Sequence, residues 1–263
     1  MLRGIDHLVI AVPDLDAAVA ELSEAVGLAF TAGGRHPGAG TANRIAFLGE
    51  PYLELIAVED EAAARARPIG AAALRALERG GGLATYALID DDLEVTVPEL
   101  QANGSDIGAV AHGERERQDG ERVAWWTATF ETLSRYTPPF LIRHGYAGAE
   151  WGPAAMEERR TFRHPIGSPV ELQRLDIATP DPPALAADYF DQLNLEFWAV
   201  ADLAVTAVGP HTIRLLPTHD MPVGSAVVLG AEVATPRSVD ALGTRFMVEP
   251  AGAVAAVEEP GVH

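Results

Sequence analysis

Apolar and polar positions alternate through the opening of GIDHLVIAVPDLD, Gly4 to Asp16, and this period of two predicts a strand. Strand side chains point alternately to the two faces. Ile5, His7, Val9 and Ala11 should therefore share one side, and Asp6, Leu8 and Ile10 the other. Asp14 or Asp16 can then cap a helix with an apolar stripe of Leu15, Val19, Leu22 and Val26, and Gly27 can stop it. Residues 28–32 read as a short strand and 33–40, GGRHPGAG, as a loop. Two further strands follow in TANRIAFLGEPYLELIAV, at 43–48 and 52–58, joined by Gly49-Glu50-Pro51. The order is βαβββ. In the last strand Tyr52, Glu54 and Ile56 share a face, so a carboxylate stands in an apolar run, as His7 does in the first. A charged group so placed costs free energy unless it is paired or liganded.

The pattern then restarts. An acidic, Ala-rich stretch from Glu59 to Arg79 carries a helix at 69–77 and ends in Gly80-Gly81-Gly82. A strand at 83–89, a cap at Asp90-Asp91-Asp92, a helix at 93–101, a charged hairpin tip at 113–121 and strands at 123–130 and 139–144 follow. Laying Asp14-Leu15 on Asp92-Leu93 sets His7 on Thr85, and laying Pro51-Tyr52 on Pro139-Phe140 sets Glu54 on Ile142. The stretch 145–165, with Trp151, Pro153 and Pro165, has no clear period and reads as a linker. A third start at 170–179 echoes VIAVPD with DIATPD and brings Arg174 to the place of His7. A helix at 183–193 and strands at 203–208 and 212–216 continue it, with Arg214 near the place of Glu54. Two strand-like runs between 226 and 250 suggest a broken fourth module, and such repetition argues for duplication.

The fold expected is α+β: tandem βαβββ modules forming a curved mixed sheet with a central cleft and helices outside, plus a degenerate third module. The boundaries are 1–58 for the first module, 59–82 for a helical bridge and 83–145 for the second module. Residues 146–169 form a linker, and 170–263 form the third module and C-terminal strands.

Composition narrows the chemistry. The 263 residues carry a formal charge of −19, which disfavours nucleic acid and anionic membrane surfaces as partners. No apolar run approaches the roughly 18–20 residues of a membrane span, and Asp6 interrupts the first apolar run, so a cytoplasmic protein is expected. There is no Cys and no Lys, which removes thiolate and Schiff-base chemistry. Any metal must then sit among His, carboxylate, carbonyl and water ligands. No Gly-x-Ser-x-Gly elbow, His-Glu-x-x-His helix or dinucleotide fingerprint occurs.

The first strand, its Pro-Asp-Leu-Asp helix start and GGRHPGAGTANRIAFLGEPYLELIAV resemble the first module of the vicinal oxygen chelate superfamily, in its glyoxalase/bleomycin resistance/dioxygenase branch. The resemblance is carried by residues 4–58 and extends less closely over 83–144. It implies that His7 and Glu54 ligate a divalent metal, with Glu54 doubling as catalytic base. It also implies that the metal polarises neighbouring oxygens of a small substrate in a lyase, isomerase or dioxygenase reaction. The superfamily draws two ligands from each of two modules, whereas Thr85 and Ile142 stand at the second pair. His144 shares the strand parity of Ile142. It either completes a His7–Glu54–His144 set open to Zn, Fe, Mn, Ni or Co, or sits exposed at a strand end.

Arg35, His36 and Asn43 are candidate substrate-binding residues at a Gly-rich loop, with bracing of that loop as the other reading. Trp126 shares a strand face with Ala128 and Phe130, either lining the cleft beside His7 or packing in the core. His211 and His219 flank turn residues and read as solvated, and Arg163-His164-Pro165 repeats Arg35-His36-Pro37 as a short coincidence. Two functions remain open: a metal-dependent enzyme, and a metal-free small-molecule binding protein on the same scaffold, either one as a homodimer.

Overall fold

The computed structural model describes residues 2–252 except 37, 117–121, 136, 146–151 and 222. Trp151 and the tip of the charged hairpin therefore lie outside the described residues. The first strand, β1 (Leu2–Ala11), leads into α1 (Leu15–Ala25), whose first turn is capped by Asp14 Oδ1 accepting from Ala17 N–H at 2.8 Å. Strands β2 (Gly34–His36), β3 (Thr41–Phe47) and β4 (Tyr52–Val58) follow, then α2 (Glu61–Arg65) and α3 (Pro68–Glu78). The second module comprises β5 (Gly82–Asp90), α4 (Leu93–Ala102), β6 (Ala111–Glu116), β7 (Arg122–Thr129) and β8 (Pro139–His144). These strands form one eight-stranded mixed sheet in the order β2-β3-β4-β1-β5-β8-β7-β6.

Two elements differ from expectation. Residues 28–32 are not a strand; a backbone bond from Thr31 N–H to the Ile45 carbonyl ties them to the sheet. The strand falls instead inside the Gly-rich loop, where β2 pairs with β3 from Gly34↔Asn43 to His36↔Thr41. The stretch read as a linker contains α5 (Pro153–Thr161), with proline in its first turn, where the missing N–H is harmless.

A second sheet follows: β9 (Val170–Thr179), α6 (Pro182–Leu193), β10 (Trp198–Val200), β11 (Leu203–Val208), β12 (His211–Pro217), β13 (Ser225–Ala231), β14 (Arg237–Ala241) and β15 (Thr244–Pro250). Its order, β10-β11-β12-β9-β13-β15-β14, repeats that of the first sheet strand for strand, short of one edge. The third module is completed by a fourth, in which residues 232–236 connect β13 to β14 with no helix between.

The two half-barrels pack through their helix-bearing sides into one core. Leu8, Ile10, Leu22 and Leu88 of the first join Leu175, Ile177, Ile213 and Phe246 of the second. Inside it the Tyr86 and Tyr189 hydroxyls meet at 2.5 Å, and burial pushes both phenols above their usual range. His211, expected to be solvated, is buried and accepts the Ile5 N–H on Nδ1 at 3.0 Å. His164, also buried, accepts Ala29 N–H on Nδ1 and donates from Nε2 to the Phe47 carbonyl at 2.7 Å. Gly209, with φ 58°, lets the β11–β12 turn lie on β1, since a Cβ there would sit 1.8 Å from the Arg3 carbonyl oxygen. Each sheet consequently turns its other face outward. On the first sheet α3 covers part of that face, packing Ala72, Ala73 and Ala76 on Val9, Ala11, Ile56 and Ala84. Among the described residues no helix is long and apolar enough to cross a membrane.

Candidate active site

His7 and Glu54 stand on adjacent parallel strands, β1 and β4, with His7 opposite Tyr52 and Val9 opposite Glu54. Strict alternation fails just before His7. The β1–β5 pairing passes from Ile5↔Leu88 to His7↔Ala87 and leaves Asp6 as an extra residue, a β-bulge. The bulge corrects the facing expected from the sequence. Ile5 packs with Leu8 and Ile10 in the main core, and Asp6 reaches the same groups as His7. Its carboxylate bridges two imidazoles: His7 Nδ1 donates to Oδ1 at 2.6 Å and His144 Nε2 to Oδ2 at 2.9 Å. Burial alone would raise the Asp6 carboxyl. The attraction and hydrogen bonds of His144 and His7 override it and hold the group well below the usual carboxylate range.

With Nδ1 engaged, His7 turns Nε2 toward Glu54 Oε2 at 3.7 Å, beyond hydrogen-bonding distance. Glu54 Oε1 accepts from Asn43 Nδ2 at 2.8 Å, and Asn43 Oδ1 accepts the Gly34 N–H at 2.8 Å. His36 continues the line, with Nε2 at 3.4 Å from Asn43 Nδ2 and Nδ1 at 2.9 Å from Thr41 Oγ1. Polar groups thus run from His36 through Asn43, Glu54, His7 and Asp6 to His144. His7 is 4% and Glu54 7% exposed. The Tyr52 ring stacks on His7 at 4.5 Å and Phe140 meets it edge-on at 5.4 Å. One opening reaches the line at His36, and a second lies beside Phe140 without touching its polar groups. A cleft of about 380 Å³ is lined by Arg35, His36, Thr41 and Glu59, and a pocket of about 110 Å³ by Ile69, Arg75, Thr85 and Phe140.

A family model described as a glyoxalase-like domain matches residues 5–193. The chain belongs to that family. Among solved structures, a hypothetical protein from Staphylococcus aureus shares the glyoxalase-like chain's fold with a TM-score of 0.78 at 16% identity, over 95% of this chain and 100% of its own. A Streptomyces coelicolor methylmalonyl-CoA epimerase variant, in complex with 2-nitronate-propionyl-CoA, matches at 18% identity and TM-score 0.42, over 57% of this chain and 99% of its own. The Mycobacterium tuberculosis methylmalonyl-CoA epimerase matches at 19% and 0.38, over 54% and 86%. No curated protein matches the chain.

The metal set that the glyoxalase-like resemblance implies is only half assembled. His7 Nε2 and Glu54 Oε2 face one another, but the third donor does not join them, because His144 Nε2 is held by Asp6. The register sets Ala87 beside Phe140 as His7 is set beside Tyr52, so the second-module counterpart of His7 is Ala87 rather than Thr85. Neither residue ligates well: Ala87 has no donor atom, and Thr85 Oγ1 donates to the Pro138 carbonyl at 2.7 Å. Among the described residues, the three His or carboxylate donors that come within 4.8 Å of one another are Asp202, His219 and Asp220, all exposed. The arrangement does not fit a His7–Glu54–His144 metal centre.

The other candidates divide. Asn43 and His36 join the line, whereas Arg35 stands at the rim, 78% exposed in its side chain and paired with Glu59 at 3.0 Å. Trp126 lies on the core side of its strand with Ala128 and Phe130, under the Arg143 guanidinium at 3.9 Å. Its neighbour Trp125 is the tryptophan on the His7 side, packed with Ala87, Phe140 and Ile142 and paired across strands with His144. Asp6 carried one signal in the sequence, an acid directly before a histidine in an apolar strand, and only the bulge turns both to one face.

Proposed function

We propose that the chain is a glyoxalase-like enzyme that binds a small molecule with neighbouring oxygens in the N-terminal half-barrel and moves protons on it. The supporting observation is the 3.7 Å gap between His7 Nε2 and Glu54 Oε2. Asp6 engages the Nδ1 proton, so in neutral His7 the Nε2 atom is an acceptor facing a second acceptor. Such a gap suits a donor. Glu54 can take a carbon-bound proton beside a carbonyl and return it to the former carbonyl carbon, while Nε2 of His7 takes the proton of the adjoining hydroxyl and passes it to the former carbonyl oxygen. Together these movements interconvert α-hydroxycarbonyl isomers through an enediol. Asn43 fixes the Glu54 carboxylate, and Tyr52 and Phe140 exclude water from the imidazole.

The test is hydrogen exchange at carbon. Wild-type protein incubated in D2O with glycolaldehyde, lactaldehyde or hydroxyacetone should wash the α-proton signal out of the NMR spectrum. Glu54→Gln, folded by circular dichroism, should slow this by about 10²-fold or more. The aromatic wall of Tyr52, Phe140 and Trp125 favours a second reading, a pocket that binds such molecules without turning them over. Binding with no exchange would select it. Elemental analysis should give far less than one metal per chain. One equivalent, lost in both His7→Ala and Glu54→Ala, would replace the proposal by a metal-dependent one.

A further inference from the structure

The second sheet repeats the site's geometry with different side chains. Its β9–β13 pairing passes from Leu172↔Leu229 to Arg174↔Val228, skipping Gln173 as the first sheet skips Asp6. Arg174 pairs with Thr212 and Asp176 with Arg214, as His7 pairs with Tyr52 and Val9 with Glu54. In β15, Glu249 beside Gly230 takes the place of Ile142 beside Ile89. The positions held by Asp6, His7 and Glu54 are therefore held by Gln173, Arg174 and Arg214.

We propose that this outward face of the C-terminal half-barrel is a second ligand site, for a hydroxylated organic carboxylate with an apolar body. Asp176, 2% exposed, is neutralised from both sides. Arg214 grips it in a fork, Nε to Oδ1 at 2.8 Å and Nη2 to Oδ2 at 2.5 Å, and Arg174 Nε adds a bond at 3.0 Å. A guanidinium carries five N–H donors, so both arginines, held by Asp176 and with side chains 20% and 29% exposed, retain donors beyond those that Asp176 takes. Glu249 reaches Arg174 Nη2 only at 3.9 Å, a contact that a ligand carboxylate can displace. Beside them Gln173 Oε1 is buried with no hydrogen-bond partner, an acceptor that a ligand hydroxyl would satisfy. The Gln173 amide lies over Gly230, where a Cβ would come within 2.3 Å of its nitrogen, so the glycine leaves it room on this face. The apolar wall is present too. Trp198 pairs with Val205 and Val205 with Arg214, which sets the Trp198 backbone two strands, roughly 10 Å, from that of Arg214 on the same face. Trp198 is 37% and Val200 48% exposed on this edge.

The probes are mandelate, phenylacetate (no hydroxyl) and lactate (no ring), titrated into the full chain by calorimetry and by tryptophan fluorescence. Mandelate should bind saturably, and each partial probe about 3–10-fold more weakly. Arg174→Gln, which leaves the Arg214–Asp176 fork intact, should weaken mandelate by roughly 10-fold or more, and the exposed Trp198→Ala by about 5-fold. Glu249→Gln should tighten it, because a competing carboxylate is removed; a purely bracing ion-pair cluster predicts no such gain. His7→Ala should leave the affinity unchanged. The proposal is overturned by no saturable binding up to about 10 mM, by unaltered affinity in both Arg174→Gln and Trp198→Ala, or by loss of binding in His7→Ala.

Discussion

Asp6 joins two imidazoles through one carboxylate, and its removal should be felt at both. Asp6→Asn keeps the shape and removes the charge, which should destabilise the fold by about 3 kcal/mol, as when one member of a buried ion pair is lost. The effect depends on pH in a defined direction. Because the folded-state pKa of Asp6 is depressed, the unfolded chain binds more protons in acid. Its stabilisation is full above the ordinary carboxylate range and disappears as pH falls through and below about 4. Urea midpoints of wild type and variant should thus converge in acid. His211 acts over a higher window. Burial lowers its pKa from 6.5 to about 4, partly opposed by Glu50, so the folded protein holds it neutral where the unfolded chain is protonated. Stability should be full above 6.5 and fall by about 3 kcal/mol as pH drops to about 4, and His211→Gln should flatten that slope. His7, Glu54 and Asn43 were legible in the sequence because each interrupts an apolar run. His211 was not, because a histidine beside Gly209-Pro210 reads as a turn, and its burial depends on a strand some two hundred residues away.

At the scale of elements, regular periods were readable and their interruptions were not. The helix from Leu15 and the strands around Glu54 and Phe140 follow from alternation, caps and glycine stops. The Asp6 bulge leaves no trace in a period-two pattern, since an extra residue is visible only against the partner strand. Trp126 keeps the face it shares with Ala128 and Phe130, but that this face is the core side and leaves Trp125 toward His7 is decided by packing across the sheet, which alternation within one strand leaves open. The strand Gly34–His36 was hidden in a run of glycines because Asn43, nine residues on, holds the Gly34 N–H. The β11–β12 turn offers a direct check on how one half seats on the other. Gly209→Ala would force Cβ into the Arg3 carbonyl, so a loss of roughly 3 kcal/mol is expected, about 6–10 °C in Tm, with the turn displaced from β1.

For the molecule as a whole, the shared core predicts one cooperative transition. Circular dichroism, tryptophan fluorescence and calorimetry should give coincident midpoints, because Tyr86, Leu88, Tyr189 and Phe246 belong to one cluster. Two separated transitions would show that the halves are independent. The missing helix between β13 and β14 gives this unity a specific cause. Helix α1 of the first half packs against β14, the Arg237 guanidinium donates to the Val26 carbonyl at its end at 2.6 Å, and Glu21 accepts the Leu242 N–H. The fourth module thus uses a helix encoded at the other end of the chain. A recombined gene that joins this N-terminal half to the C-terminal half of another glyoxalase-like protein would inherit a mismatched seam there. Chimeras should fold only when α1 travels with the strands it covers, so the two halves are bound to change as one unit of inheritance.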